Sequence, residues 1–191
     1  HPMKQDTKPS AFRERYRVSA VPKLREVLGA ENIQALPRIT KVVVASGVGK
    51  HRAEGKFFED VARGLALLTG QKPAPRIARK SIAGFKVRQG LEVGFLVSLR
   101  GRRMEDFLTR LIDVALPRVR DFRGISVTAV DGQGNLSLGL REASVFPEVD
   151  PATVETPFGL QVTIVTTAGS RERGLALFRA LGFPLTEEQQ S

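Results

Sequence analysis

Apolar side chains recur along this chain with two different periods, and the switches between them divide it into helices and strands. Helical spacing joins Phe12, Tyr16, Ser19 or Ala20, Leu24, Val27 and Leu28, with Gly29 as a stop and Pro22 as a kink. The β-branched run from Arg38 to Val44 follows Pro37 and reads as a strand ending near Gly47. Phe57, Phe58, Val61, Ala62, Leu65 and Leu68 return to the helical period, closed by Gly70. Val93, Phe95, Val97 and Leu99 then alternate, as on a half-buried strand.

Met104, Phe107, Leu108, Leu111, Ile112 and Ala115 form the clearest helical stripe, and Pro117 is expected to end that helix. Asp131-Gly132-Gln133-Gly134-Asn135 is concentrated turn chemistry. Leu160, Val162, Ile164 and Thr166 alternate again, and Leu175, Phe178 and Leu181 give a last short helix before a polar tail. Strands with one apolar face and helices with one apolar stripe predict an α+β fold, an antiparallel sheet with helices packed on one face. The other face of the sheet is left for a ligand.

At 191 residues the chain is long enough for one domain with a real core, and its 41% apolar and 26% charged residues exclude a disordered chain. Residues 11–185 read as that domain, with 1–10 and 186–191 as flexible tails. His1-Pro2 ahead of Met3 reads as a cloning or protease scar, which sets His1 aside. The absence of cysteine excludes disulfides, zinc ribbons, iron–sulfur clusters and thiol catalysis. No apolar run reaches the roughly 18–20 residues of a membrane span, so no membrane partner is expected.

Thirty Lys and Arg against 20 Asp and Glu leave a net charge of +10, which points to a polyanionic partner. The excess is concentrated. Residues 1–50 carry 10 basic and 4 acidic groups, and residues 72–103 carry 9 basic groups against Glu92 alone. Residues 142–191 carry 3 basic and 7 acidic groups and are expected to face away from the partner. A solvated face mixes its signs, so the 72–103 stretch reads as a nucleic-acid surface. Pro73, Pro75, Gly84 and Gly90 prevent it from being one helix, leaving a loop or extended ribbon that lays cations along phosphates. A second basic segment is Leu116 to Gly124. Arg118 and Arg120 alternate there and would share one side of an extended stretch, with Asp121 holding one of them; the other reading is a cluster at a helix C-terminus.

The parts of an enzyme are missing. Gly47-Val48-Gly49-Lys50 looks like the end of a phosphate loop, but Val44 and His51 stand where that pattern needs Gly and Ser or Thr. His51 is the sole internal imidazole, and no G-x-S-x-G elbow accompanies it. Glu59-Asp60 and Glu105-Asp106 are adjacent on helices and point about 100° apart, so neither pair can share a proton across a cleft. Both pairs are expected to serve helix N-termini. No catalytic residue, metal site or cofactor is expected.

Several motifs lie in a recognisable order and spacing. They are Leu68-Thr69-Gly70-Gln71-Lys72-Pro73, Ala78 to Gly90, Val97-Ser98-Leu99-Arg100-Gly101-Arg102-Arg103-Met104, and Leu116 to Gly124. Asp131 to Asn135, Phe146-Pro147-Glu148 and Thr166-Thr167-Ala168 continue the series. Over residues 11–185 the chain resembles bacterial-type ribosomal protein five of the large subunit. The resemblance implies a five-stranded antiparallel sheet with helices on one side. It implies a structural constituent of the large subunit that binds 5S rRNA and large-subunit rRNA in the central protuberance. A basic loop would contact transfer RNA in the peptidyl site, and a small-subunit protein would be met as a bridge. Free of the ribosome the protein would be a monomer; the expected location is a cytoplasmic ribosome, with an organellar ribosome as the alternative.

Carried over by motif, the rRNA-binding positions are Lys41, Ser46, Gly47, Gln71, Ser98, Arg100, Arg102, Arg118, Arg120 and Arg123. The loop facing transfer RNA holds Lys72, Arg76, Arg79, Lys80, Ser81 and Lys86. The chain departs from the family pattern at Ala45, where Asn is usual, and at Ser98, where Thr is usual. Val130, Gln133 and Leu136 replace an Arg and two aromatics, and Phe158 stands where Arg is usual. These departures motivate an alternative, a divergent paralogue outside the ribosome that binds another RNA or a protein.

Overall fold

The computed structural model describes residues 8–48, 54–79 and 90–187. In chain order the helices are α1 (Ala11–Arg15), α2 (Val21–Leu28), α3 (Gly55–Thr69), α4 (Gly101–Arg110), α5 (Leu116–Arg118) and α6 (Arg171–Leu181). The strands are β1 (Ile39–Gly47), β2 (Ala74–Ile77), β3 (Glu92–Leu99), β4 (Ile125–Ser126), β5 (Leu136–Leu140), β6 (Leu160–Thr166) and β7 (Leu185–Thr186). Five strands pair in the order β2-β3-β1-β6-β5, and each pairing is antiparallel. A separate parallel pair joins β4 to β7.

Alternation assigns the two faces. Val42 and Val44 of β1, Val97 and Leu99 of β3, Leu136 and Leu140 of β5, and Val162 and Ile164 of β6 are buried on one of them. The helices cover that face: α3 lies against β3, α4 against β1, α1 against α4, and α2 against α6. Between the layers Phe107, Phe146 and Phe178 are fully buried, and the rings of Phe107 and Phe146 stack 5.4 Å apart. This is the predicted α+β architecture with its helices on one side of the sheet.

The helix carrying Pro117 ends one residue past it, at Arg118, next to the expected end, and the helix carrying Pro22 continues to Leu28. A π-helical turn precedes each: Tyr16–Ala20 before Pro22 and Leu111–Ala115 before Pro117. Proline has no N–H, and its ring clashes with the carbonyl four residues back. In the wide turn the N–H of Val21 bonds to the Tyr16 carbonyl and that of Leu116 to the Leu111 carbonyl, five residues back. Each proline therefore sits in the first turn of the next helical stretch, where no N–H is needed.

The adjacent acidic pairs do not serve helix N-termini, since neither α3 nor α4 has an acid in its first turn. One member of each pair is a buried tether instead. Asp60 accepts the Thr156 N–H at 3.1 Å. Glu105 accepts the Ser10 hydroxyl at 2.5 Å and Nε and Nη2 of Arg13 at 3.2 and 3.0 Å. Ser10 also caps α1 by accepting the Arg13 N–H, so Glu105 fixes the start of α1 against α4.

The turn at residues 131–135 ties three elements together. The Asp131 carboxylate accepts the N–H groups of Gln133 and Asn135, each at 2.9 Å, and these bonds hold its pKa below the ordinary value. The Asn135 side-chain oxygen Oδ1 accepts the Thr166 N–H at the end of β6. Gly134 has φ +83°, and a Cβ on Gly174 of α6 would lie 2.5 Å from the Gly134 Cα, so both positions require glycine.

Candidate nucleic-acid interface

The open face of the sheet is built from the alternate residues of the same strands, and the register sets them in rows. Ala74, Leu96, Ala45, Gln161 and Gly139 form one row across all five strands. Ser98, Val43, Thr163 and Ser137 form the next, and Lys41 stands opposite Val165. At the other end Arg76, Gly94 and Gly47 lie side by side. Leu96, Val43 and Val165 apart, these side chains are small, polar or cationic. Across the five strands the sole carboxylate is Glu92.

Ion pairs join the elements of the helical side, although Arg17, Lys23 and Arg25 there have no carboxylate partner among the described residues. On the helical side Arg13 pairs with Glu105, Arg15 with Asp113 at 2.7 Å, Arg110 with Glu148 at 2.9 Å, and Lys56 with Glu155. Among the described residues Lys41, Lys72, Arg76, Arg79, Arg100, Arg118, Arg120 and Arg123 form no side-chain hydrogen bond or ion pair. A cation without an internal partner on an exposed face is available to phosphate.

The structure brings Lys41, Gly47, Ser98 and Arg76 onto this face, and Arg100 follows directly at the end of β3. Gln71, just after α3, joins the group through its amide. Oriented to satisfy both neighbours, the amide donates to the Ser98 carbonyl at 3.0 Å and accepts from Nη1 of Arg103 at 3.3 Å. Sequence reasoning included Arg103 in the basic 72–103 stretch without giving it a contact of its own, and passed over Gln161. The alternation of residues 160–166 places Gln161 on the outer face, so the signal for it was present.

Other expected positions lie differently. Ser46 points inward, because it shares the parity of Val42 and Val44; it is buried, and its hydroxyl donates to the Gly159 carbonyl at 2.7 Å. Arg102 is engaged within the protein, with Nε bonded to Asp106 and Nη1 to the Lys8 carbonyl at 3.0 Å. Arg118, Arg120 and Arg123 are exposed at the end of the helical layer, between α5 and β4, and do not join the sheet face. Their segment is the end of a helix and a turn, not an extended stretch, and Asp121, at φ +54°, pairs with none of them. Residues 142–191 do not turn away as a block, because β6 lies inside the sheet between β1 and β5; their carboxylates lie outside β6. Within the basic 72–103 stretch, β2 and β3 pair as an antiparallel ribbon, while Arg102 and Arg103 belong to α4. Lys80, Ser81 and Lys86 lie outside the described residues.

A helix-backed antiparallel sheet with an open face of small, polar and unpaired cationic side chains defines a polyanion-binding α+β protein. Two family profiles match the chain in succession, Ribosomal protein L5 over residues 32–88 and the C-terminus of the same ribosomal protein family over residues 92–185. The large ribosomal subunit protein uL5 of Synechocystis sp. is 50% identical over 169 residues, covering 88% of this chain and 94% of the relative. Its namesake in Thermobifida fusca is 47% identical over 177 residues, covering 93% of each chain, and that of Rubrobacter xylanophilus is 49% identical over 173 residues, covering 91% and 96%. The chain belongs to the ribosomal protein L5 family. RNA binding and a part in translation follow from that membership, and the family is a structural one without enzymatic activity. Among the described residues no helix is long and apolar enough to cross a membrane.

Proposed function

We propose that this protein is an architectural constituent of the large ribosomal subunit, and that the open face of its sheet docks on 5S rRNA. The observation that supports this reading is the division of charge. Across the five strands Glu92 is the sole carboxylate, and Lys41, Arg76 and Arg100 at the open face have no carboxylate partner among the described residues, whereas Arg13, Arg15 and Arg110 on the helical side are paired. In this reading residues 11–185 act as one RNA-binding unit, monomeric when free, that joins 5S rRNA to large-subunit rRNA in the central protuberance. The β2–β3 ribbon carries Lys72 and Arg79 toward transfer RNA in the peptidyl site, together with Lys80, Ser81 and Lys86, while Arg76, beside Gly94 and Gly47, belongs with the 5S rRNA face. The turn with Arg118, Arg120 and Arg123 holds large-subunit rRNA, and a small-subunit protein is met as a bridge.

Titration of a 5S rRNA transcript at several salt concentrations tests the reading. The expected result is a log–log salt slope of about −0.7 to −0.9 per phosphate neutralised, amounting to several units, with selectivity over transfer RNA and random duplex. Equal affinity for all three RNAs at moderate salt would overturn it.

A further inference from the structure

The open face is not continuous: it is notched where β1 and β6 part. Ala45 and Gln161 are their last laddered pair, while Ser46 and Gly47 continue in register with β3 alone. The Ser46 hydroxyl, bonded to the Gly159 carbonyl at 2.7 Å, closes the floor where the ladder stops. The result is a hollow of about 370 Å³ walled by Gly47, Gly94 and Gly159, with Gln161 on one side and Arg76 on the rim. That volume falls within the roughly 300–1,000 Å³ of small-ligand clefts.

The lining narrows the class of ligand. Bare glycine backbone offers a flat wall to a planar ring. Gly94 has no freedom to be anything else, since its Cβ would run into the Ser46 carbonyl. Gln161 is exposed, and its amide can both donate to and accept from one edge of a base. Arg76 is exposed and unpaired among the described residues, with a guanidinium that can stack on a base or hold a phosphate. No carboxylate lines the hollow. We infer that the notch between β1 and β6 receives one unpaired nucleotide splayed out of the bound RNA, with Gln161 reading the base edge and Arg76 its phosphate. The inference rests on the reading of the open face as an RNA-binding surface and adds the point of single-nucleotide recognition.

Gly47 gives a clean way to close the notch. A Cβ there would meet nothing nearer than the Val93 carbonyl at 3.9 Å, so Gly47→Leu projects into the hollow without displacing the backbone. AMP, GMP, CMP and UMP are titrated separately into the ¹⁵N-labelled full chain, and binding of a 5S rRNA transcript is measured for the wild type, Gly47→Leu, Gln161→Ala and Arg76→Gln. At least one mononucleotide is expected to shift the Gly47, Gly94 and Gly159 amides, and Gly47→Leu to abolish those shifts. Gly47→Leu is expected to weaken transcript binding at least tenfold with an unchanged salt slope and an unchanged thermal midpoint, and Gln161→Ala to weaken it with the slope also unchanged. Arg76→Gln should lower the salt slope by about 0.7. Amides that stay still with all four mononucleotides, or a folded Gly47→Leu protein that binds the transcript like the wild type, would overturn the inference while leaving the docking face intact. A wild type that takes up a mononucleotide in the notch yet shows no selectivity for 5S rRNA supports the notch and sinks the broader reading.

Discussion

The two faces of the sheet come from the same strands, one residue apart, and they solve opposite problems. The face toward the helices removes water: Val42, Val44, Leu99, Val162 and Ile164 are sealed beneath Phe107, Leu108 and Leu65. The open face keeps water and charge. Its side chains stop at a methyl, hydroxyl or amide, or reach out as an unpaired ammonium or guanidinium. Ion pairs follow the same split, as on the helical side they anchor one element to another, Arg13 to Glu105 across α1 and α4 and Arg15 to Asp113 beyond them. Stability and binding are thus assigned to opposite sides of a single layer, so changes on one side should leave the other's property intact.

The sharpest test of that separation is to break the buried side. Phe107→Ala removes a fully buried ring stacked on Phe146 and is expected to cost about 3–5 kcal/mol of unfolding free energy in a denaturant titration. Next comes Gly64→Ala. Its Cβ would lie 2.5 Å from the Phe158 ring, so a loss of about 1–3 kcal/mol is expected, and Phe158→Leu in the same chain should recover part of it. Glu105→Gln weakens the tether to Ser10 and Arg13 and should cost about 1–3 kcal/mol, with faster amide exchange in α1 than in β1.

Asp131→Ala is expected to cost about 1 kcal/mol at neutral pH. Because the folded carboxyl titrates below its ordinary value of 3.8, that difference should be complete above this pH and vanish as the pH falls through the folded pKa. Paired melts of wild type and variant from pH 7 to pH 2 read the convergence. The smallest change in stability belongs to the open face. Lys41→Gln and Arg100→Gln should stay within about 0.5 kcal/mol of the wild type, and each should lower the salt slope of RNA binding by about 0.7–0.9.

Much of this division was legible in the chain. The alternation of residues 93–99 and 160–166 marks the inward positions of β3 and β6, and the helical stripes mark the faces of α3 and α4. The same period-two rule assigns Ser46 to the core side and Gln161 to the outside, although motif likeness suggested RNA contact for Ser46. β2 was hidden because its four residues are all exposed and include Pro75, which leaves no alternation to read. Asp60 and Glu105 were beyond local reasoning: their partners lie 96 and 95 positions away along the chain, and no window on a helix contains them. Arg102 escaped for a related reason, its Lys8 partner being a backbone carbonyl 94 residues distant. The departures at Val130, Leu136 and Phe158 look like lost RNA contacts in the sequence. In the fold all three are buried, so those substitutions belong to the core, and Phe158 fills the space that Gly64 leaves open.

The wide turns ahead of Pro22 and Pro117 also act on angular phase. Each residue of an α-helix advances about 100° around the axis, so one extra residue taken up in a widened turn leaves everything downstream aimed as if it were not there. Ala20 and Val21 are consecutive and both buried, as are Ala115 and Leu116, each pair straddling such a junction. Relaxing Leu111–Ala115 to a regular helix with no residue removed would turn Leu116 about 100° out of the core and swing the bearing of Arg118, and deleting one residue there would restore both. The aim of that arginine is therefore set by a count of residues upstream of it.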